Sequence, residues 1–261
     1  MEIAGAGTAV VIAAGAGSRM RASAGEAHPK PAARVLGVPL IVRVLWKLAE
    51  TGVERAVVVT GFRAPEVVAA ARTGRPPMLD LEFVHNDGWQ RPNGESVLAA
   101  RGAVGDEPFV LTMADHLCSP LVIEALRTVR ERDVDVALAV DRRLGEISDL
   151  DDATRVRTGP TGRIAEIGKR LAAYDAVDTG VFLCAPSLFE ALELERDARG
   201  ACSLSDGVAR VARQGRALAV EIPQRSWWQD VDNAADVALA EAKLRRHEAP
   251  FVYDAPAELV A

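Results

Sequence analysis

The segment Thr8-Ala9-Val10-Val11-Ile12-Ala13-Ala14-Gly15-Ala16-Gly17-Ser18-Arg19-Met20 governs the reading of the whole chain. It opens with a short apolar run rich in β-branched residues, the pattern of a strand buried on both faces of a parallel sheet. The run stops at Gly15, so the strand feeds a glycine turn. Similar runs recur at 56–60, 81–84 and 109–113, and apolar residues at helical spacing fill 39–51, 66–72, 96–102 and 121–130, with Ser96 able to cap the third of these helices. Strand and helix alternating at this interval predict an α/β fold with a Rossmann-like, doubly wound, mixed but mainly parallel sheet, its working residues at the carboxyl ends of the strands. After a strand at 134–140 the pattern turns hairpin-like, with extended segments at 155–157 and 163–167 around the Gly/Pro turn 158–162. Helices at 188–194, 208–214 and 234–247 and a strand at 217–222 complete the expectation. A single domain over 1–249, with halves meeting near residue 133, and a Pro/Ala-rich tail over 250–261 follow from this pass.

Composition narrows the class. The 261 residues are 49% hydrophobic and 26% charged, and no apolar run is long enough to cross a bilayer. The formal charge of −6 argues against generic binding to nucleic-acid phosphates. Cys118, Cys184 and Cys202 are odd in number and widely spaced, which fits reduced structural thiols. Glu2 and a short Ala/Gly segment follow Met1 where a secretory signal would carry a basic region and an apolar stretch, so the expected location is cytoplasmic.

The glycine turn brings backbone N–H groups within reach of a polyphosphate, with Arg19 adding fixed charge. A structural turn or a dinucleotide-binding turn begins the same way. Against the latter, Met20 stands where its third glycine belongs and no acid closes the second strand. Lys30, between Pro29 and Pro31, is presented from a stiff segment and suits a phosphate ligand, a solvated loop lysine being the plainer alternative. Asp115 closes the fourth strand at the functional edge of the sheet, with His116 beside it, either as a ligand contact or simply hydrogen-bonded. Asp230 and Asp232 alternate along an extended segment and share a face, and one of them could instead cap the last helix.

Together, Ala13-Ala14-Gly15-Ala16-Gly17-Ser18-Arg19-Met20 and Pro29-Lys30-Pro31 resemble the signature of the nucleotidyltransferases that activate sugars and alcohols. Asn93-Gly94-Glu95-Ser96-Val97-Leu98, Asp115 and Trp228-Gln229-Asp230-Val231-Asp232 extend the likeness over nearly the whole chain. The resemblance implies a nucleotide-diphospho-sugar transferase type of fold, with NTP bound by 1–133 and the acceptor by 134–249. It implies that Ala13, Ala14, Gly15, Ala16, Gly17, Asn93, Gly94 and Ser96 contact the nucleotide, that Arg19 and Lys30 neutralise phosphate charge, and that Asp115 and Asp232 hold Mg²⁺, with Asp230 as second choice. Lys169 would hold the acceptor's phosphate, and Asp178 and Thr179 would line its pocket, although a turn entering a strand explains Asp178-Thr179-Gly180 equally well.

Within this family, Met113-Ala114-Asp115-His116, the run from Ile167 to Phe182 and Ser203-Leu204-Ser205-Asp206-Gly207-Val208 are most similar to the CTP:inositol-1-phosphate cytidylyltransferases. Members of that group often carry a membrane-embedded phosphatidyltransferase-like domain after the cytidylyltransferase. The sequence stops without one, so the expectation is a standalone enzyme passing its product to a separate protein, or a different acceptor. A phosphocholine acceptor would need an aromatic cage, for which Trp89, Tyr174, Trp227 and Trp228 are the few candidates; a polyol would use Asp178, Thr179, Ser203, Ser205 and Asp206. A sugar-1-phosphate is the remaining acceptor class. Outside this chemistry, the alternatives are an NAD-dependent oxidoreductase and a non-catalytic nucleotide-binding regulator.

Overall fold

The computed structural model describes residues 3, 5–20 and 29–248; the tail expected at 250–261 lies outside the described residues. Strand β1 (Thr8–Ala13) lies at the centre of the main sheet, parallel to β4 (Arg55–Thr60) on one side and to β6 (Phe109–Met113) on the other. Between β1 and β4 come the short antiparallel pair β2 (Arg34–Val35) and β3 (Val38–Pro39) and helix α1 (Leu40–Glu50). Helix α2 (Ala64–Gly74) leads from β4 to β5 (Asp80–His85), which pairs in parallel with β4. This is the right arrangement for strands whose helices cover both faces.

The β1 run shows why. Ala9, Val11 and Ala13 pack into one apolar layer with Ile41, Leu45 and Leu48 of α1, while Val10 and Ile12 face a second layer that contains Leu111, Phe182 and Phe189. Successive strand residues point to opposite faces, so a strand with helices on both sides must be apolar at every position. Each such Val or Ile contributes roughly 1.5–3 kcal/mol through burial.

The chain then forms α3 (Gly94–Ala99), α4 (Arg101–Val104), β7 (His116–Cys118), α5 (Pro120–Arg127) and β8 (Val136–Asp141). After the hairpin β9 (Arg155–Thr158) and β10 (Ile164–Gly168) comes β11 (Ala176–Cys184), followed by α6 (Ser187–Arg199), α7 (Leu204–Arg213), β12 (Ala217–Glu221), β13 (Trp228–Asp230) and α8 (Ala234–His247). Strand β11 inserts antiparallel between β6 and β8, and β12 pairs in parallel with the outer edge of β8. The first part of β11 pairs with β9 where its later part pairs with β6, so the hairpin extends the sheet over the cleft. No helix of the described residues is long and apolar enough to cross a membrane.

Two local expectations need correction. The helix expected at 96–102 begins at Gly94 and breaks at Ala100. Ser96 is therefore inside it and buried, accepting a hydrogen bond from the Asn86 amide at 3.0 Å, and it caps nothing. The helix expected to reach residue 130 ends at Arg127. The three cysteines are free and buried, as expected of structural thiols, and burial pushes the Cys118 pKa up to about 12.

Candidate active site

The carboxyl ends of β6 and β8, with Arg19 from the turn after β1, open on a cleft of about 710 Å³. At the end of β1, Ala13 and Ala14 are buried, and the Ala14 carbonyl accepts the Phe62 N–H at 3.0 Å, which braces the glycine turn against the end of β4. Gly17 has φ +58°, and a Cβ there would stand 2.5 Å from the Lys30 Cβ. Only glycine lets the turn pack so closely on that lysine. Lys30 itself begins a single 3-10 turn, Lys30–Ala32, and is 6% exposed.

Three carboxylates converge on the Lys30 ammonium: Asp115 at 2.6 Å, Asp230 at 3.8 Å, and Asp232 in direct contact. A small antiparallel ladder brings them together. Trp228 pairs with Cys118 and Asp230 with His116, and the Val231 N–H donates to the Asp115 carbonyl at 3.1 Å. Helix α8 takes its cap from Asn233, whose side chain accepts the Ala235 and Asp236 N–H groups while Asp236 answers with its carboxylate. Neither Asp230 nor Asp232 is spent on capping. Burial works against the charge on Lys30, but the carboxylates, Asp115 foremost, outweigh it and hold its pKa above the ordinary value. Burial likewise opposes the Asp115 charge, and its polar and charged neighbours, Lys30 foremost, outweigh that and leave its pKa lowered. Asp230 is pushed up to about 6, chiefly by burial.

The opposite wall is tied to this cluster through Arg19. Its guanidinium contacts Asp232 and Asp152, both at 2.6 Å, and Asp152 in turn accepts from Lys169 at 2.7 Å. An alternating chain of charges, Lys30–Asp232–Arg19–Asp152–Lys169, therefore crosses the cleft. Asp178 borders the cleft, takes the Gly180 N–H on its carboxylate at 2.6 Å, and is raised to about 6 by burial. Thr179 does not line the pocket with its side chain: it is fully buried, and its hydroxyl donates to the Ala139 carbonyl at 2.8 Å. It sits within β11, where alternation turns it away from its neighbours.

On the nucleotide side, Asn93 accepts the Leu204 N–H at 2.9 Å, and a Cβ on Gly94 would stand 2.5 Å from the Cys202 carbonyl, so this loop is packed onto the start of α7. Of the residues considered for a polyol, Ser203 and Asp206 form the capping box of α7, leaving Ser205 on the cleft. Of the four candidate cage aromatics, Trp227 and Trp228 border the cleft but are engaged with other partners, Trp227 against His247 and Trp228 stacked on His116 while donating to Asp141 at 2.9 Å; Trp89 contacts Phe62 and Tyr174 contacts Arg155, both outside the cleft lining.

The donor set suits a hard divalent cation. Asp115 and Asp230 each keep one buried oxygen, Oδ1, with no hydrogen-bond partner among the described residues, whereas both Asp232 oxygens face cations. Orphaned carboxylate oxygens at a strand edge are what an oxygen-ligated ion satisfies. Asp152 was invisible in the sequence, being one of several acids in an irregular stretch. So was the Asp141 clamp: its carboxylate takes two N–H groups of the Arg143 side chain and the Trp228 indole, holding the strand that carries Asp230.

Gly180 has φ +77°, and a Cβ there would overlap the His116 ring. Gly180→Ala should therefore destabilise the protein by about 1–3 kcal/mol from backbone strain, with more from displacing the ring. A denaturant titration showing unchanged stability would contradict this.

A mixed, mainly parallel sheet with a glycine turn, paired cations and converging carboxylates beside its carboxyl edge defines a phosphate-handling transferase cleft. Residues 9–217 match the family described as MobA-like NTP transferase domain, and the chain belongs to that family of nucleotidyltransferases. It is 38% identical over 237 residues to a bifunctional IPC transferase and DIPP synthase of Rubrobacter xylanophilus, covering 89% of this chain and 51% of that one. A UTP–glucose-1-phosphate uridylyltransferase of Haloferax volcanii is 27% identical, over 91% of this chain and 96% of its own. The chain spans about half the length of the bifunctional relatives it matches. Among solved structures, the inositol-1-phosphate CTP transferase from T. maritima superposes with a TM-score of 0.78 at 26% identity, over 94% of this chain and 98% of that one.

Proposed function

We propose that this nucleotidyltransferase joins CTP and inositol-1-phosphate to give CDP-inositol and pyrophosphate. The observation that carries this reading is the likeness to the T. maritima inositol-1-phosphate CTP transferase, which runs over nearly the full length of both chains. Lys169, Asp178 and Ser205 line the cleft, and its two tryptophans, Trp227 and Trp228, are tied to His247, His116 and Asp141 and not grouped into a cage, which favours a polyol over a quaternary ammonium.

In this reading an acceptor phosphate oxygen attacks the α-phosphorus of CTP in line, the bond to the β-phosphate oxygen breaks, and pyrophosphate leaves. A phosphate monoester is already anionic, so no general base is needed, and catalysis rests on positioning and charge neutralisation. The backbone of Gly15, Ala16 and Gly17 cradles the triphosphate; Ala13, Ala14, Asn93, Gly94 and Ser96 shape the nucleotide pocket, Ser96 from behind. Arg19 and Lys30 meet the phosphates, and Lys169 holds the acceptor's phosphate beside Asp178. Asp115 and Asp232, with Asp230 beside them, would hold Mg²⁺, which when bound supplies positive charge to the phosphate oxygens. The reaction would take place in the cytoplasm with freely diffusing small molecules.

The test is to incubate the purified chain with each NTP and a panel of phosphorylated acceptors and to identify products by mass spectrometry. CDP-inositol from CTP and inositol-1-phosphate is the expected product. CDP-choline or a nucleotide sugar in its place would overturn the acceptor assignment. Lys169→Ala should raise KM for inositol-1-phosphate by at least about tenfold with kcat little changed, since the lysine neutralises charge equally in ground and transition states. Initial-rate kinetics at saturating CTP would check it, and an unchanged KM would remove Lys169 from the acceptor site.

A further inference from the structure

We propose a divalent transition-cation site formed by His116 Nε2 with one oxygen each of Asp115 and Asp230, which shares Asp115 with the Asp115–Asp232 pair and adds an imidazole nitrogen to its donors. It deepens the metal reading above and rests on that reading only in expecting the cleft to take a divalent cation.

The two carboxylates present different oxygens to their two neighbours. Asp115 turns Oδ2 to Lys30, and Asp230 turns Oδ1 the same way. The other two, Asp115 Oδ1 and Asp230 Oδ2, stand 3.8 and 3.6 Å from His116 Nε2. These separations are too long for hydrogen bonds. They match the span of two donor atoms around one ion bonded at about 2.0–2.2 Å. One donor atom from each of the three residues falls within a mutual 4.8 Å, and Asp115 Oδ1 has no hydrogen-bond partner among the described residues.

The imidazole is held for this purpose from three sides. Its Nδ1 lies 2.9 Å from the Thr179 carbonyl, which only accepts, so Nδ1 carries the hydrogen and the lone pair of the neutral ring is on Nε2. A ligating histidine is normally oriented by such a bond from its other nitrogen. Trp228 stacks on the ring with centroids 6.5 Å apart, and Gly180 leaves the space that any side chain would fill. The ladder between β7 and β13 sets His116 directly opposite Asp230, so the spacing of two donors is fixed by strand pairing. Mg²⁺ prefers all-oxygen shells, whereas an imidazole added to carboxylates favours Mn²⁺ and its neighbours.

The test uses Mn²⁺ alone, titrated into the nucleotide-free full chain at mildly alkaline pH, with free ion read by electron paramagnetic resonance. One tightly held Mn²⁺ per chain is expected, and pulsed measurements should detect hyperfine coupling to an imidazole nitrogen. His116→Gln should lower the affinity at least about tenfold and abolish that coupling. Bound Mn²⁺ without nitrogen coupling, or no binding before nucleotide is added, overturns the site. The coupling is measured on the parent protein, so the result stands even if the variant folds poorly. Because no substrate is present, failure here is distinguishable from failure to form CDP-inositol.

Discussion

Lys30→Ala should lower kcat by about 10²–10³-fold while leaving KM for the nucleotide within a few-fold, the loss typical of one electrostatic group aimed at developing charge. The lysine is 6% exposed, is carried on a 3-10 turn between prolines, and has its side-chain carbons pressed against Gly17. Its position is therefore set before any substrate arrives, and no reorganisation is needed as charge shifts toward the leaving pyrophosphate. Steady-state kinetics with circular dichroism on the same preparation would check this. A variant whose defect lies in KM alone would assign Lys30 to ground-state binding, and one with parental kcat would exclude it from the chemistry.

Asp115→Asn, which keeps the shape and removes the charge, should reduce turnover by about 10³-fold, and Asp232→Asn should act in the same direction; the parent enzyme should stop when its divalent cation is chelated and recover when Mg²⁺ is restored. Asp115 is held anionic by Lys30 against the cost of burial, so its charge is available at every pH near neutrality. Asparagine could still accept from Lys30, so a structural role for Asp115 would survive the substitution where a charge-dependent one would not. Full activity in excess chelator would remove the cation from the reaction altogether. Parental turnover in Asp115→Asn with chelator sensitivity intact would move the ion to other ligands.

Much of this cleft could be read from local patterns. The run from Thr8 to Ala13 declared a strand covered on both faces, and the glycine turn, Lys30 and Asp115 fell where loops at the carboxyl edge of such a sheet must lie. Helix α8 was expected at 234–247 and has those bounds. Periodicity works here because it records which residues are buried, and burial depends on each element's own faces.

What the sequence by itself determined, then, was the family signature, the mainly parallel layering and the inventory of charged groups. The tertiary structure alone decided how those groups meet. Pairing of β7 with β13, more than a hundred residues apart, sets Asp230 against His116 and leaves Asp232 to Lys30 and Arg19. The antiparallel insertion of β11 buries Thr179, turns its carbonyl to His116 and opens space at Gly180 for the ring. Asp152, one acid among several in an irregular loop, becomes the link between Arg19 and Lys169 only when the β8–β9 connection folds across the cleft. Hydrophobic spacing says that a strand must be paired and a face covered, but not by which distant segment. Partner choice is a non-local free-energy difference among alternative pairings, so the charges could be listed from the sequence, while their neighbours were set by the fold.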